Sequence, residues 1–176
     1  MRKKKKRPAS VTIFLWICLI CYLILLFKVI LFKFDIDTII NILHDQDELP
    51  YTRVNLVPFQ TIRFYLLSGR VPFAASVRNL LGNILAFMPI GLLIPLLRQD
   101  LSLGFTFFFG LAISVGIEVT QYFTGLGSAD IDDVILNVIG TMSISLFLCF
   151  VDFIWFLLKK IGKTIKKALD KSHRRV

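Results

Sequence analysis

Apolar residues gather in four long blocks along the chain, at residues 11–32, 80–97, 101–123 and 134–158. Each approaches the roughly 20 residues that an α-helix needs to cross about 30 Å of hydrocarbon. The pattern predicts an all-α, polytopic membrane protein with four transmembrane helices. Residues 33–79 form a long connection that is too interrupted to span. Within it Phe34, Ile36, Ile39, Ile40 and Leu43 fall at helical spacing among Asp35, Asp37, Asn41 and Asp45, which predicts an amphipathic helix lying in the membrane interface. Pro50, Pro58 and Pro72 punctuate this connection, and Phe59, Phe64, Tyr65 and Phe73 suit a loop held at headgroup depth, the alternative being an ordinary extracytoplasmic loop with no site. The second block is broken by Gly82, Pro89, Gly91 and Pro95, as in a kinked helix packed inside a bundle. In the tail Ile161, Ile165, Ala168 and Leu169 alternate with lysines, so residues 159–176 read as a second interfacial helix.

Composition agrees with this class. Hydrophobic residues make up 56% of 176 positions and mean hydropathy is +0.73, above the roughly 45–50% apolar share of soluble domains. The net charge of +9 does not indicate nucleic acid, because the basic residues are concentrated in terminal runs beside apolar blocks. Residues 1–10 hold an uninterrupted basic run from Arg2 to Arg7, the short connection near residue 98 holds Arg98, and the tail holds eight lysines and arginines from Lys159 to Arg175. Four spans put all three regions on one side, and the positive-inside rule makes that side the cytoplasm. The 33–79 loop and the connection before residue 134 then face outward. The first block reads as an uncleaved signal anchor, since no small-x-small site precedes Lys33. Cys18, Cys21 and Cys149 lie inside apolar blocks, so they predict neither a disulfide framework nor a zinc site.

Polar residues within the spans carry the candidate chemistry. Gly110, Ser114 and Glu118 recur every four residues, with Gln121 one turn on, and Asp133, Asn137, Thr141 and Ser145 form a matching stripe on the next span. Asn79 and Asn83 do the same at the outer end of the second span. Small and polar stripes let helices approach and hydrogen-bond in lipid, which accounts for them as bundle packing. Depth points to more than packing. At about 1.5 Å rise per residue, Asn83 and Asn137 fall a few ångströms below the outer boundary and Glu118 one to two turns below it. Asp130, Asp132 and Asp133 roof this layer. A carboxylate inside the membrane is costly unless protonated or paired, and so marks a candidate functional site. Arg53 and Arg78 are the candidate partners on the same side. Carboxylate and amide oxygens suit Mg²⁺ or Ca²⁺, but Asp-x-Asp-Asp has low specificity and no metal or cofactor is expected. His44 and His173 are the chain's two histidines, and the second lies in the tail, so a Ser/His/Asp triad is not expected.

Four ordered motifs then carry a resemblance. They are Arg53-Val-Asn55-Leu-Val-Pro-Phe59; Asn79-Leu-Leu-Gly-Asn83 leading to Phe87-Met-Pro-Ile-Gly91; Ser114-Val-Gly-Ile-Glu118-Val-Thr-Gln121; and Asp130-Ile-Asp132-Asp133-Val-Ile-Leu-Asn137-Val-Ile-Gly140. In this order they resemble the VanZ-like family of small bacterial membrane proteins, over roughly residues 53–140 of the transmembrane domain at 11–158. The chain departs from the family pattern at Gly127-Ser128-Ala129, where many members carry an arginine shortly before the first aspartate. The resemblance implies a multi-pass protein of the cell membrane and an association with resistance to teicoplanin and related lipid-bearing glycopeptides. It does not supply a reaction.

Two readings of different classes follow. In one, a non-enzymatic envelope protein binds a lipid-linked or amphiphilic molecule, among membrane lipids and without nucleic acid, through Arg53, Asn55, Arg78, Asn79, Asn83, Glu118, Gln121, Asp130, Asp132, Asp133 and Asn137. In the other, the carboxylates form the acid/base or metal site of an enzyme acting on a lipid-linked envelope precursor. A transporter is a weaker third, because no internal repeat is evident. The first is preferred, since the polar layer holds amides and carboxylates but no obvious nucleophile.

Overall fold

Each of the four apolar blocks is a helix. The computed structural model describes residues 7–31 and 54–173, and within them the order is α1 (Ala9–Leu31), β1 (Val54–Asn55), α2 (Gln60–Leu67), α3 (Phe73–Arg98), α4 (Leu103–Thr124), β2 (Ala129–Asp130) and α5 (Ile131–His173). α1, α3, α4 and α5 are long and apolar enough to cross a membrane, and the chain is an all-α, multi-pass membrane protein. The expected interfacial helix beginning at Phe34, together with Arg53, lies outside the described residues.

Two boundaries differ from the expectation. α3 begins at Phe73, not near residue 80. Pro72 stands immediately before it with φ −55°, and its carbonyl accepts from Ala75 N–H (2.9 Å) and Ser76 N–H (3.1 Å). Proline suits a helix start, so residues that lower the hydropathy here, Arg78 and Asn79, are exposed helical positions and not loop. The tail is helical as expected, yet α5 continues into it without a break for 43 residues, about 65 Å at helical rise and about twice the hydrocarbon thickness.

The center of the bundle is apolar toward one end and polar toward the other. Leu19 and Leu26 of α1 meet Phe87, Ile90 and Ile94 of α3 and Ile117 of α4 in the apolar core. Tyr22 Oη donates to Ala86 carbonyl oxygen, tying α1 to α3. The tightest packing is between α3 and α5. A Cβ on Gly91 would overlap the Thr141 carbonyl, and one on Gly140 would overlap the Ile84 carbonyl, so backbone touches backbone at both positions.

One bond in this seam has a specific cause. Pro95 lacks the N–H that would have bonded the Gly91 carbonyl one turn earlier. Ser145 Oγ, fully buried, donates to that carbonyl from α5 at 2.8 Å. The proline is tolerated because the neighboring helix replaces the lost donor.

Candidate functional site

The polar end of the bundle is built around the turn between α4 and α5. Gly125, at φ 68°, ends α4, and the chain returns through β2 into α5. β2 pairs in parallel with β1, Val54 opposite Ala129 and Asn55 opposite Asp130. The turn is thereby joined to a segment that precedes α3 in sequence.

The three aspartates have distinct tasks. Asp130 is buried: its Oδ1 accepts from Asn55 Nδ2 (3.0 Å) and from Asp132 N–H (2.8 Å), and its Oδ2 accepts from Thr61 Oγ1 (2.5 Å). Asp132 is fully buried, and its carboxylate receives the backbone N–H groups at the start of α2. Phe59 N–H bonds Oδ1, while Thr61 N–H (2.7 Å) and Ile62 N–H (3.0 Å) bond Oδ2. The first N–H groups of any helix lack intrahelical acceptors and carry the positive end of its dipole, so an anion suits them. Phe59, in the N-cap position, has no side-chain oxygen to offer and adopts φ 65°, ψ 7°, a left-handed conformation that is rare for a bulky residue. Asp132 caps α2 in its place from another part of the chain. Asp133 accepts from Asn83 Nδ2 of α3 at 2.5 Å. All three acids thus hold α2, α3 and β1 to the turn.

Deeper in the bundle, Glu118 Oε2 accepts from Asp130 N–H at 2.8 Å, which fastens α4 to β2. Asn137 Nδ2 donates to Ser114 Oγ at 2.9 Å, one turn below Glu118 on α4. The polar layer therefore has two levels, because Asn137 lies nearly two turns along α5 from the turn that Glu118 holds. Gln121 is buried beside Gly127. Gln121 Oε1 and Asn137 Oδ1 are buried acceptors without a hydrogen-bond partner among the described residues. Arg78 and Asn79 are exposed on α3, separate from this network, and Arg53 lies outside the described residues.

The sequence reading missed Thr61, which bridges Asn55 and Asp130, and Ser114, the partner of Asn137. The four-residue spacing of Gly110, Ser114 and Glu118 marks Ser114 as part of a stripe, and spacing alone names no partner for it. Asp130 and Asp132 have each oxygen already engaged by the protein, so acid/base work at either would first require breaking those bonds. Among the described residues no three His, Cys, Asp or Glu side chains gather as a metal ion would require.

Two cavities flank the β1–β2 pair. One, of about 390 Å³, lies between α4, β1 and the start of α5, with apolar walls and with Glu118 and Asp130 contributing to its lining. The other, of about 450 Å³, is lined by polar side chains including Asn55, Gln60, Thr61 and Ser128. Val54 and Asp130 line both.

No solved structure matches this chain. It is 28% identical over 119 residues to Protein VanZ of Enterococcus faecium, an alignment covering 68% of this chain and 63% of the relative, so the chain spans less than two thirds of that protein's length. The model of the VanZ/LLP1 family matches residues 19–158, which take in the motif-bearing turn, the β1–β2 pair and nearly all of the four-helix bundle. The chain belongs to the VanZ/LLP1 family.

Proposed function

We propose that this protein acts in the bacterial cell membrane as a non-enzymatic envelope protein, with both termini in the cytoplasm and the acidic turn outward. Its polar end binds an amphiphilic molecule of the outer leaflet and so contributes to resistance to teicoplanin-type lipoglycopeptides. The observation that carries this reading is the meeting of an apolar cavity and a polar one at the β1–β2 pair, with buried Glu118 in the lining of the apolar one. A ligand with a chain and a polar head meets the matching surface on each side. The association with teicoplanin and related lipid-bearing glycopeptides that the motif resemblance implies supports the antibiotic class, and the chain's membership of the family agrees with it.

The test is expression of the full chain in a susceptible bacterium. Tolerance should rise for a glycopeptide bearing an acyl chain and not for one lacking it. Glu118→Gln keeps an oxygen to accept Asp130 N–H, and Asp133→Asn keeps one to accept Asn83 Nδ2, so both remove charge while sparing the bonds described. The paired variant should accumulate normally and lose the difference. Equal sensitivity to both antibiotic types with and without the intact protein would sink the resistance reading.

A further inference from the structure

α5 outruns the membrane, and the part that does so keeps one apolar side. Counted from Val134, about 20 residues cross the hydrocarbon and bring the helix to the neighborhood of Trp155. Lys159 Nζ lies 4.8 Å from the center of the Trp155 ring, a pairing of cation and aromatic that suits the headgroup level. Ile165 stands about 15 Å farther along the axis than Trp155, where acyl chains do not reach an upright helix. Here the exposed Lys159, Lys160, Lys163 and Lys166 occupy one half of the helix surface. Ile161 and Ile165 occupy the other half and are 56% and 55% exposed.

The two isoleucines end a longer stripe. Phe147, Val151, Ile154, Leu158, Ile161 and Ile165 are all exposed and follow one another at intervals of four, three, four, three and four residues. That alternation is the roughly 3.5-residue period of a coiled-coil seam, sustained for nearly three heptads. Taking about 100° per residue, its center lies about 120° round the helix from Thr141, whose carbonyl meets Gly91 of α3, and about 160° from Ser145, which bonds the same glycine. The stripe therefore looks away from its own bundle, and a partner can reach it without displacing α3. Within the membrane apolar residues stand on other sides of α5 as well, among them Phe150, Phe153 and Phe156, so the register is set past Leu158, where the lysines leave one apolar side.

Charge and orientation name the occupant. With Val151, Leu158 and Ile165 at one seam position and Ile154 and Ile161 at the other, the positions flanking the seam hold Trp155, Leu157, Gly162 and Thr164, and all four lysines fall on the outer surface. Two copies can join along the stripe with no lysine set against another. Copies of one chain, inserted by the same basic signals, share one orientation in the membrane, so the pairing is parallel and symmetric and each seam residue meets its own counterpart.

We propose that the protein is a homodimer whose two α5 helices join in parallel along this stripe, in a seam that begins in the membrane and continues past it. The dimer is independent of what the opposite end of the bundle binds.

The experiment uses the full chain, with Cys18, Cys21 and Cys149 replaced by alanine, in liposomes of neutral lipid and in liposomes containing anionic lipid. Leu158→Cys, Ile161→Cys and Lys163→Cys are oxidized separately and the disulfide-linked dimer is followed on denaturing gels. The two seam variants should cross-link at least about tenfold faster than Lys163→Cys in both lipids, because only seam positions bring a residue within disulfide reach of its own copy. Ile161→Asp with Ile165→Asp should lower the dimer fraction counted by single-molecule photobleaching, while Lys163→Gln with Lys166→Gln, on the outer surface, should leave it unchanged. Equal cross-linking of all three cysteine variants, or a monomer count at every lipid dilution, would overturn the proposal. So would protection of Ile161→Cys from an aqueous thiol reagent only where anionic lipid is present and without cross-linking, which would lay the stripe on the leaflet instead.

Discussion

Asp132→Asn is a small change in volume with a large expected effect. The native carboxylate offers one oxygen to Phe59 N–H and the other to Thr61 and Ile62 N–H, with the side chain fully buried. An amide has one oxygen. If it faces Thr61 and Ile62, its NH₂ group opposes Phe59 N–H, donor against donor; the reverse orientation strands two N–H groups. A hydrogen bond to a charged acceptor contributes about 1.5–3 kcal/mol, and the surviving bonds lose their charge assistance. A loss of about 2–4 kcal/mol in the stability of the α2 segment follows. α2 has only eight residues, too few to persist alone, so the loss should appear as local opening. Hydrogen exchange at Thr61 and Ile62 should quicken by at least about 30-fold, the factor that roughly 2 kcal/mol represents. Phe59→Gly removes a left-handed conformation costing about 1–3 kcal/mol in a non-glycine residue, and should recover part of the loss in the double variant. Exchange at these amides unchanged in Asp132→Asn would refute the assignment of Asp132 as the cap of α2.

Three further outcomes are expected. Gly140→Ala should force α3 and α5 apart at the Ile84 carbonyl and cost about 1–3 kcal/mol, seen as a lower melting temperature in detergent; an unchanged melt would mean that the seam is looser than described. Ser145→Ala should cost about 0.6 kcal/mol by stranding the Gly91 carbonyl, and the loss should vanish in a Pro95→Ala background, where a restored N–H can take that carbonyl; strictly additive melting shifts would exclude the exchange. A Ser128→Cys probe, in a background with Cys18, Cys21 and Cys149 replaced, should react with an impermeant reagent from outside the cell, and reaction from the cytoplasmic side alone would reverse the proposed orientation.

Some of this was legible in the sequence because its cause is local. The four spans follow from apolar length, and the buried series Gly110, Ser114, Glu118 and Gln121 follows from helical period, which puts i, i+4 and i+7 on one side. The α3 start is hidden from hydropathy by Arg78 and Asn79, although Pro72 is itself a helix-start signal. The work of Asp132 was not legible. Its partners are backbone N–H groups about seventy positions away, which carry no residue-type signature, and their aim depends on Phe59 taking a conformation its side chain disfavors. The partner of Asn137 was likewise open, since a stripe fixes which side of a helix is polar but not its axial register against a neighbor.

The parallel bridge between β1 and β2 sets an order of events during synthesis. Its hydrogen-bonding partners lie on either side of α3 and α4 in the chain, with Asn55 and Asp130 separated by 75 positions. Segment 54–67 is complete long before the ribosome reaches Asp132, and until then α2 lacks its cap and β1 lacks the strand it pairs with. Closing so long a loop brings its stabilizing contacts only at the end. The polar end of this membrane bundle is therefore a late product of assembly: α3 and α4 must stand in place before the turn after them can reach back and fasten the segment made before them.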